Sequence, residues 1–337
     1  MKELEIQVNE AGQRFDKYLK KYLKNAPDSF IYKMLRKKNI VLNKKKSDGR
    51  ELLAAGDKVK LFLAEETIEK FKGAVPERSG GWEFPEPEIV YEDAQVIFFN
   101  KPSGILSQKA KQTDVSMAEY VVSYMLKSGQ IKAEELRTFR PSVCNRLDRN
   151  TSGIIAAGKT LAGLQELSKL FRERALRKYY LCIVKGPVRQ KKHVRGFLRK
   201  DETANKVRVL DKNKDGECVP IETEYLPVSY NQDMSLLKVH LITGRTHQIR
   251  AHLASFGHPI LGDYKYGEWK FNEIYKEKYQ ITDQLLHAYE IQMPRISGVL
   301  EELSEKKVTA KVPSIFWKVL EETAWQHGIQ EVSEVLH

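Results

Sequence analysis

The stretch Asn145-Arg146-Leu147-Asp148-Arg149-Asn150-Thr151-Ser152-Gly153 runs directly into the apolar segment Ile154, Ile155, Ala156, Ala157. A carboxylate, Asp148, stands two residues after one arginine and immediately before another, and Thr-Ser-Gly then turns the chain into what reads as a buried strand. In extended backbone, side chains two apart share a face, so Arg146 and Asp148 are expected to point the same way. A guanidinium in that position favours the charged carboxylate. An acid presented at the mouth of a buried strand can act as a nucleophile. The same pattern in a turn also makes a purely structural ion pair, so the rest of the chain has to decide between them.

The 337 residues are enough for two or more domains with a substantial core. Hydrophobic residues make up 41% and charged residues 30%, which gives a large wet surface. No run of about 18 apolar residues is present, and Met1-Lys2-Glu3-Leu4-Glu5-Ile6-Gln7 lacks the apolar core of a secretory leader. These features predict a cytoplasmic protein with no membrane association. Cys144, Cys182 and Cys218 are odd in number, widely spaced and without a Cys-x-x-Cys, which argues against a disulfide framework and a zinc site.

The net charge of +12 is concentrated in one place. Between Gln13 and Lys60 there are 15 Lys and Arg against 5 Asp and Glu, or +10, leaving +2 for the remainder. Such a patch suits a polyanion, because each neutralised phosphate releases counterions.

Within this basic segment, Phe15, Tyr18, Leu19, Tyr22 and Leu23 recur at helical spacing, with lysines on the opposite face. Asn25, Pro27 and Asp28 interrupt the pattern, Ser29 is the expected cap, and Ile31, Met34 and Leu35 mark a second helix bearing Lys33, Arg36, Lys37 and Lys38. Ile40 to Asn43 and Gly56 to Phe62 read as a small hairpin around a basic turn. These pieces predict a compact α/β module over residues 1–65. The Gly- and Pro-rich stretch 66–88 reads as a linker, and 89–337 as a second domain. There, strands are expected at Ile89 to Asp93, Gln95 to Phe99, Lys178 to Lys185 and Leu236 to Ile242. Helices are expected at Asp114 to Lys127, Thr160 to Arg174, His247 to Phe256 and Ser314 to Gln326. Val188 to Arg208 reads as a basic loop or a hairpin. Strands and helices do not alternate strictly, so the prediction is α+β with a mixed, largely antiparallel sheet flanked by helices.

Two resemblances sharpen this reading. Gly12 to Leu19, Ile31 to Lys37, Val41-Leu42-Asn43 and Ala55-Gly56-Asp57 resemble the alpha-L RNA-binding module named after a small-subunit ribosomal protein. That likeness implies RNA contacts from Arg14, Lys33, Arg36, Lys37 and Lys38. Asn100 to Gly104, Asn145 to Gly153, Lys178-Tyr179-Tyr180, and Thr243 to Arg250 followed by Gly257 to Asp263 resemble, in order, the RluA-type pseudouridine synthases, nearest the RluC and RluD branch. The resemblance covers nearly the whole chain from Gly12 to about Pro313.

It implies isomerisation of RNA uridines without a metal or redox cofactor, with large-subunit ribosomal RNA favoured over transfer RNA and an assembly intermediate as a further substrate form. By that likeness Asp148 is the nucleophile, Tyr180 stacks on the uracil, and Arg250 pairs with the nucleophile in a bidentate fashion. Arg146 would fill the gap left by the flipped base, since a stacked target must first leave its helix. Arg245, His247, Gln248 and Lys101 are expected as support or RNA contacts, and Tyr179 as core. Where the family usually has histidine this chain has Asn145, which can hydrogen-bond but cannot titrate, and the position is read as structural. His247 and His252, five apart on a helix, do not converge on a metal. A non-catalytic RNA-binding assembly factor is the alternative class, and the default oligomeric state is a monomer.

Overall fold

In the N-terminal module the apolar spacing is realised directly. The computed structural model describes residues 1–72, 86–111, 113–201, 206–210, 212, 218–330 and 332. Strand β1 (Lys2–Glu5) is followed by helices α1 (Phe15–Tyr22) and α2 (Asp28–Arg36), strands β2 (Ile40–Leu42) and β3 (Lys58–Leu61), and helix α3 (Glu65–Phe71). Phe15, Tyr18, Leu19 and Tyr22 of α1 and Ile31, Met34 and Leu35 of α2 are buried in one core, as a stripe of that period requires. The α2 cap position falls on Pro27, two residues before the expected Ser29, with Asp28 in the first turn facing the positive end of the helix dipole. β2 and β3 form the expected hairpin, and β1, which is too short and too charged to signal itself, adds to the far edge of β3. Helix α3 occupies the first part of the stretch expected as linker, and its fully buried Ile68 joins the module's core. Residues 73–85 of that stretch lie outside the described residues.

The remainder of the chain builds one eleven-stranded sheet among the described residues. Its strands are β4 (Glu88–Glu92), β5 (Val96–Lys101), β6 (Ser142–Val143), β7 (Ser152–Gly158), β8 (Arg177–Lys185), β9 (Lys192–Asp201), β10 (Lys206–Leu210), β11 (Val219–Tyr230), β12 (Met234–Leu241), β13 (Leu286–Gln292) and β14 (Lys307–Thr309). The order along the sheet is β10-β9-β11-β12-β8-β13-β7-β5-β4, with β6 on β7 and β14 on β13. Every described pairing is antiparallel except β13 with β7. Helices α4 (Met117–Lys127), α5 (Leu161–Glu173), α6 (Gln248–Ser255), α7 (Trp269–Tyr279) and α8 (Ser314–Glu322) cover it. The α+β, mixed and largely antiparallel prediction is therefore what the chain adopts. Val188 to Arg208 resolves as the hairpin alternative, with β9 inside the sheet and β10 at its edge.

The parallel pair is a seam between two half-sheets, and it depends on a glycine. Gly153 has φ 107° and a Cβ there would lie 2.3 Å from the carbonyl oxygen of Ala288, so only glycine lets β7 reach β13. Ser152, beside it, hydrogen-bonds the fully buried His287 of β13 at 2.9 Å. The loop that carries Asp148 ends at this seam.

Candidate active site

At the seam lies an open pocket of about 1200 Å³, lined by the loop 143–151, β8, the head of α6 and Lys265. Among the described residues nine lysines and arginines line it, and Asp148 is its one acidic residue. Residues 144–151 are loop rather than strand: Leu147 turns inward and Arg146 lies exposed at the rim. The partner of Asp148 is accordingly not Arg146 but Arg250, whose Nη1 donates to Oδ2 at 2.9 Å. Leu147 is held by Ser107, whose hydroxyl accepts from the Leu147 N–H and donates to its carbonyl, at 2.8 and 2.9 Å. This grips the loop one residue before the carboxylate.

Arg250 sits in the first turn of α6, and its bidentate fork belongs to Asp263. Nε and Nη2 reach the two Asp263 oxygens at 2.7 and 3.0 Å, leaving a single arm for Asp148. The Asp263 carboxylate also accepts from the backbone N–H groups of Lys265 and Tyr266. Burial alone would raise the pKa of Asp263, but the guanidinium and these N–H groups more than offset it and hold it below the usual carboxylate range. Arg250 is therefore pre-set by one carboxylate and offered to the other, a correction to the expected bidentate pairing with Asp148.

Tyr180, on β8, is 8% exposed and lines the pocket, and its hydroxyl makes no hydrogen bond among the described residues. Burial, with Asp148 adding to it, pushes the phenol well above its ordinary value. Tyr179 faces the other side of the sheet, but it is only half-buried. It stacks on His240 at 4.9 Å under the Lys238 ammonium at 4.7 Å, so it is not core. Arg245 is exposed at the rim, and its N–H donates to Gln248, which is itself buried and bonds Thr223 and Thr243. Asn145, in the loop, is tied to β7: its amide donates to the Ile154 carbonyl and accepts from the Ala156 N–H at 2.8 Å.

Lys101 is corrected. It is 0% exposed, and its ammonium donates to the carbonyls of Pro102, Ile105 and Arg149 at 2.8 to 2.9 Å. It ties β5 to the loop behind Asp148 and cannot reach a substrate. Burial lowers its pKa to about 7 against the pull of Asp148 and Asp283. Arg14, Lys33, Arg36, Lys37 and Lys38 lie in the N-terminal module and none lines the pocket. Arg14 is paired there with Asp16 at 2.8 Å, while the other four are exposed and carry no ion pair among the described residues. No group of three or more His, Cys, Asp or Glu side chains among the described residues could hold a metal ion.

Residues 95–255 match the family described as RNA pseudouridylate synthase. The ribosomal large subunit pseudouridine synthase C of Vibrio cholerae is 34% identical over 318 residues, 92% of this chain and 92% of that protein. The chain belongs to the RNA pseudouridine synthases. The Escherichia coli protein of the same name is 32% identical over 273 residues, covering 79% of this synthase and 80% of that one. The fold is also that of human RNA pseudouridylate synthase domain containing 4, with a TM-score of 0.56 at 23% identity over 71% of this chain and 93% of that one.

Sequence reasoning passed over several residues that shape this synthase's pocket. In the sequence Asp263 stands only as the end of a motif, and Ser107, Lys265 and Tyr266 belong to none. Asp263 carried one usable signal: a lone acid thirteen residues after an arginine, behind Gly257 and Gly262, where the chain must turn back on the helix.

Proposed function

We propose that this synthase isomerises specific uridines of large-subunit ribosomal RNA, with Asp148 as the nucleophile. In the net reaction the N1–C1′ bond breaks, the C5–C1′ bond forms, the C5 hydrogen leaves as a proton and N1 ends protonated. No electron is gained or lost. The observation that carries the reading is that Asp148 is the one carboxylate among the described residues of a pocket that nine lysines and arginines also line, its Oδ2 held by Arg250 at 2.9 Å. The cations suit the phosphates around a flipped nucleotide, and the carboxylate suits the one step that needs a nucleophile.

The other roles follow from position. Arg250, braced by Asp263, orients the carboxylate; Tyr180, buried with an uncommitted hydroxyl, offers a ring face to the uracil. Arg146 and Arg245 at the rim meet the backbone phosphates on either side of the flipped base. Lys33, Arg36, Lys37 and Lys38 supply a second, remote set of phosphate contacts. Ribosomal rather than transfer RNA is favoured because the relatives that align over most of the chain carry the large-subunit name.

The test is tritium release from transcripts labelled at C5 of uridine, because forming the C5–C1′ bond expels that hydrogen. Release from large-subunit ribosomal RNA and not from transfer RNA is expected. Release from transfer RNA alone would overturn the substrate. Tight binding to both without release would overturn the chemistry and leave a non-catalytic assembly factor.

A further inference from the structure

Tyr266 lies outside every motif that located the pocket, but it touches the site from three directions. Its hydroxyl accepts from the Val207 N–H at 2.9 Å and lies 2.9 Å from Nδ1 of His247. Its ring lies under the Arg250 guanidinium, 5.3 Å from centroid to Cζ. Val207 belongs to β10, the edge strand of the basic hairpin, so the hydroxyl joins that hairpin to the head of α6. Nε2 of the same His247 is 3.8 Å from Oδ2 of Asp148.

We propose that Tyr266 is a positioning residue: its hydroxyl, anchored by the Val207 N–H, donates to Nδ1 of His247 and thereby holds that imidazole with its proton on Nε2, facing Oδ2 of Asp148. The inference rests on Asp148 being the reacting carboxylate. The count of protons carries it. Val207 can only donate, so the phenol accepts there and has one O–H left to give. Given to Nδ1, that proton leaves Nε2–H on the side of the carboxylate, 3.8 Å from Oδ2, where its charge is attracted rather than directly hydrogen-bonded, and the phenol's own proton has an acceptor. In the other tautomer Nδ1–H donates to the phenol, the phenol's own proton is without a described partner, and a nitrogen lone pair confronts the carboxylate. Fixing the tautomer of a working imidazole through its second nitrogen is a general device.

His247 is the N-cap of α6, with φ 53° in the left-handed region where histidine is enriched among non-glycine residues. Burial keeps its pKa below the ordinary imidazole value despite the pull of Asp148, so at neutral pH it carries one ring proton and the tautomer matters. Among the described residues, the side-chain contacts of Asp148 all fall on Oδ2, from Arg250 and His247. Oδ1 is left uncommitted as the attacking oxygen. Arg250 holds Oδ2 directly, and Tyr266, through His247, adds a second neighbour with a positive edge to the same oxygen without itself meeting the base.

The test uses the full chain with ¹⁵N-labelled histidine, the His247 signals being assigned by their loss in His247→Gln. The wild-type spectrum should show the Nε2–H tautomer, and Tyr266→Phe, which keeps the ring beneath Arg250, should shift His247 toward Nδ1–H. Under single turnover, Tyr266→Phe should slow tritium release about tenfold while RNA affinity stays within about twofold. Tyr266→Phe combined with His247→Gln should be no slower than His247→Gln alone, because the tyrosine acts through the histidine. A wild-type His247 protonated on Nδ1 or on both nitrogens would overturn the proposal. So would additive losses in the double variant, or a loss confined to RNA affinity. The spectrum is read without substrate, so a failure of the pseudouridylation reading would show separately, as absent tritium release from the wild type.

Discussion

Two basic regions face outward from this protein, and they are built in opposite ways. The N-terminal patch is contiguous in sequence: Lys33, Arg36, Lys37 and Lys38 sit on and just after one helix, exposed and without ion pairs among the described residues. The pocket's nine cations come from segments spread between Lys109 and Lys265, and the fold gathers them around one carboxylate. In the first region charge is left free for whatever polyanion arrives. In the second, part of it is already committed to geometry: Arg250 to Asp263 and Asp148, and Lys101, beneath the floor, to three carbonyls. On the proposed function, free charge would serve affinity, and committed charge the placement of one oxygen atom.

The difference can be broken most violently at Arg250. Arg250→Met would leave the 1%-exposed Asp263 and the pocket's Asp148 without their shared cation. A loss of about 3–5 kcal/mol in denaturant unfolding is expected, together with loss of turnover. An unchanged midpoint would show that the network is not what holds the helix head to the loop.

A gentler comparison sets the two regions against each other. Replacing Lys33, Arg36, Lys37 and Lys38 by glutamine should weaken RNA binding about ten- to a hundredfold and reduce the salt slope, while single-turnover release at saturating RNA is unchanged. Replacing Arg146 and Arg245 by glutamine should instead slow release at saturation. Binding titrations across a range of KCl concentrations, paired with single-turnover release, check both; equal effects of the two sets on rate would erase the distinction.

The smallest effect concerns Lys101. Its folded-state pKa, about 7, lies below that of a free lysine, so between the two values the unfolded chain binds the extra proton. Stability attributable to Lys101 therefore rises as pH climbs from about 7, on the order of 1 kcal/mol per pH unit at most. Lys101→Met should flatten that rise when unfolding midpoints at pH 7 and pH 9 are compared with those of the wild type.

The mixed, antiparallel architecture and the helices α1, α2, α4 and α5 were legible because their apolar residues keep a regular period. The Arg-Leu-Asp and Thr-Gly-Arg-Thr-His-Gln segments were legible because they are short and chemically distinctive. What escaped was long-range. β1 and α3 are too short to carry periodicity of their own, and β13, the strand at the seam, is defined by its neighbours rather than by alternation. Arg146 shares a face with Asp148 only if residues 144–151 are extended; as a loop they send it outward, and the partner is Arg250, 102 residues away, which the family resemblance indicates and the local spacing does not. The charge count failed at the pocket for the same reason. A sum of +2 over most of the chain conceals a local excess, because the compensating acids lie elsewhere.

The most direct test of the account is Asp148→Asn, assayed for binding and for tritium release on the same C5-labelled ribosomal transcript. The substitution keeps the shape and the surrounding cations and removes only the carboxylate proposed as the nucleophile. The account predicts RNA affinity within about twofold of the wild type and no detectable release, since affinity resides in the cations and chemistry in one oxygen. Release that persists in the variant would contradict it.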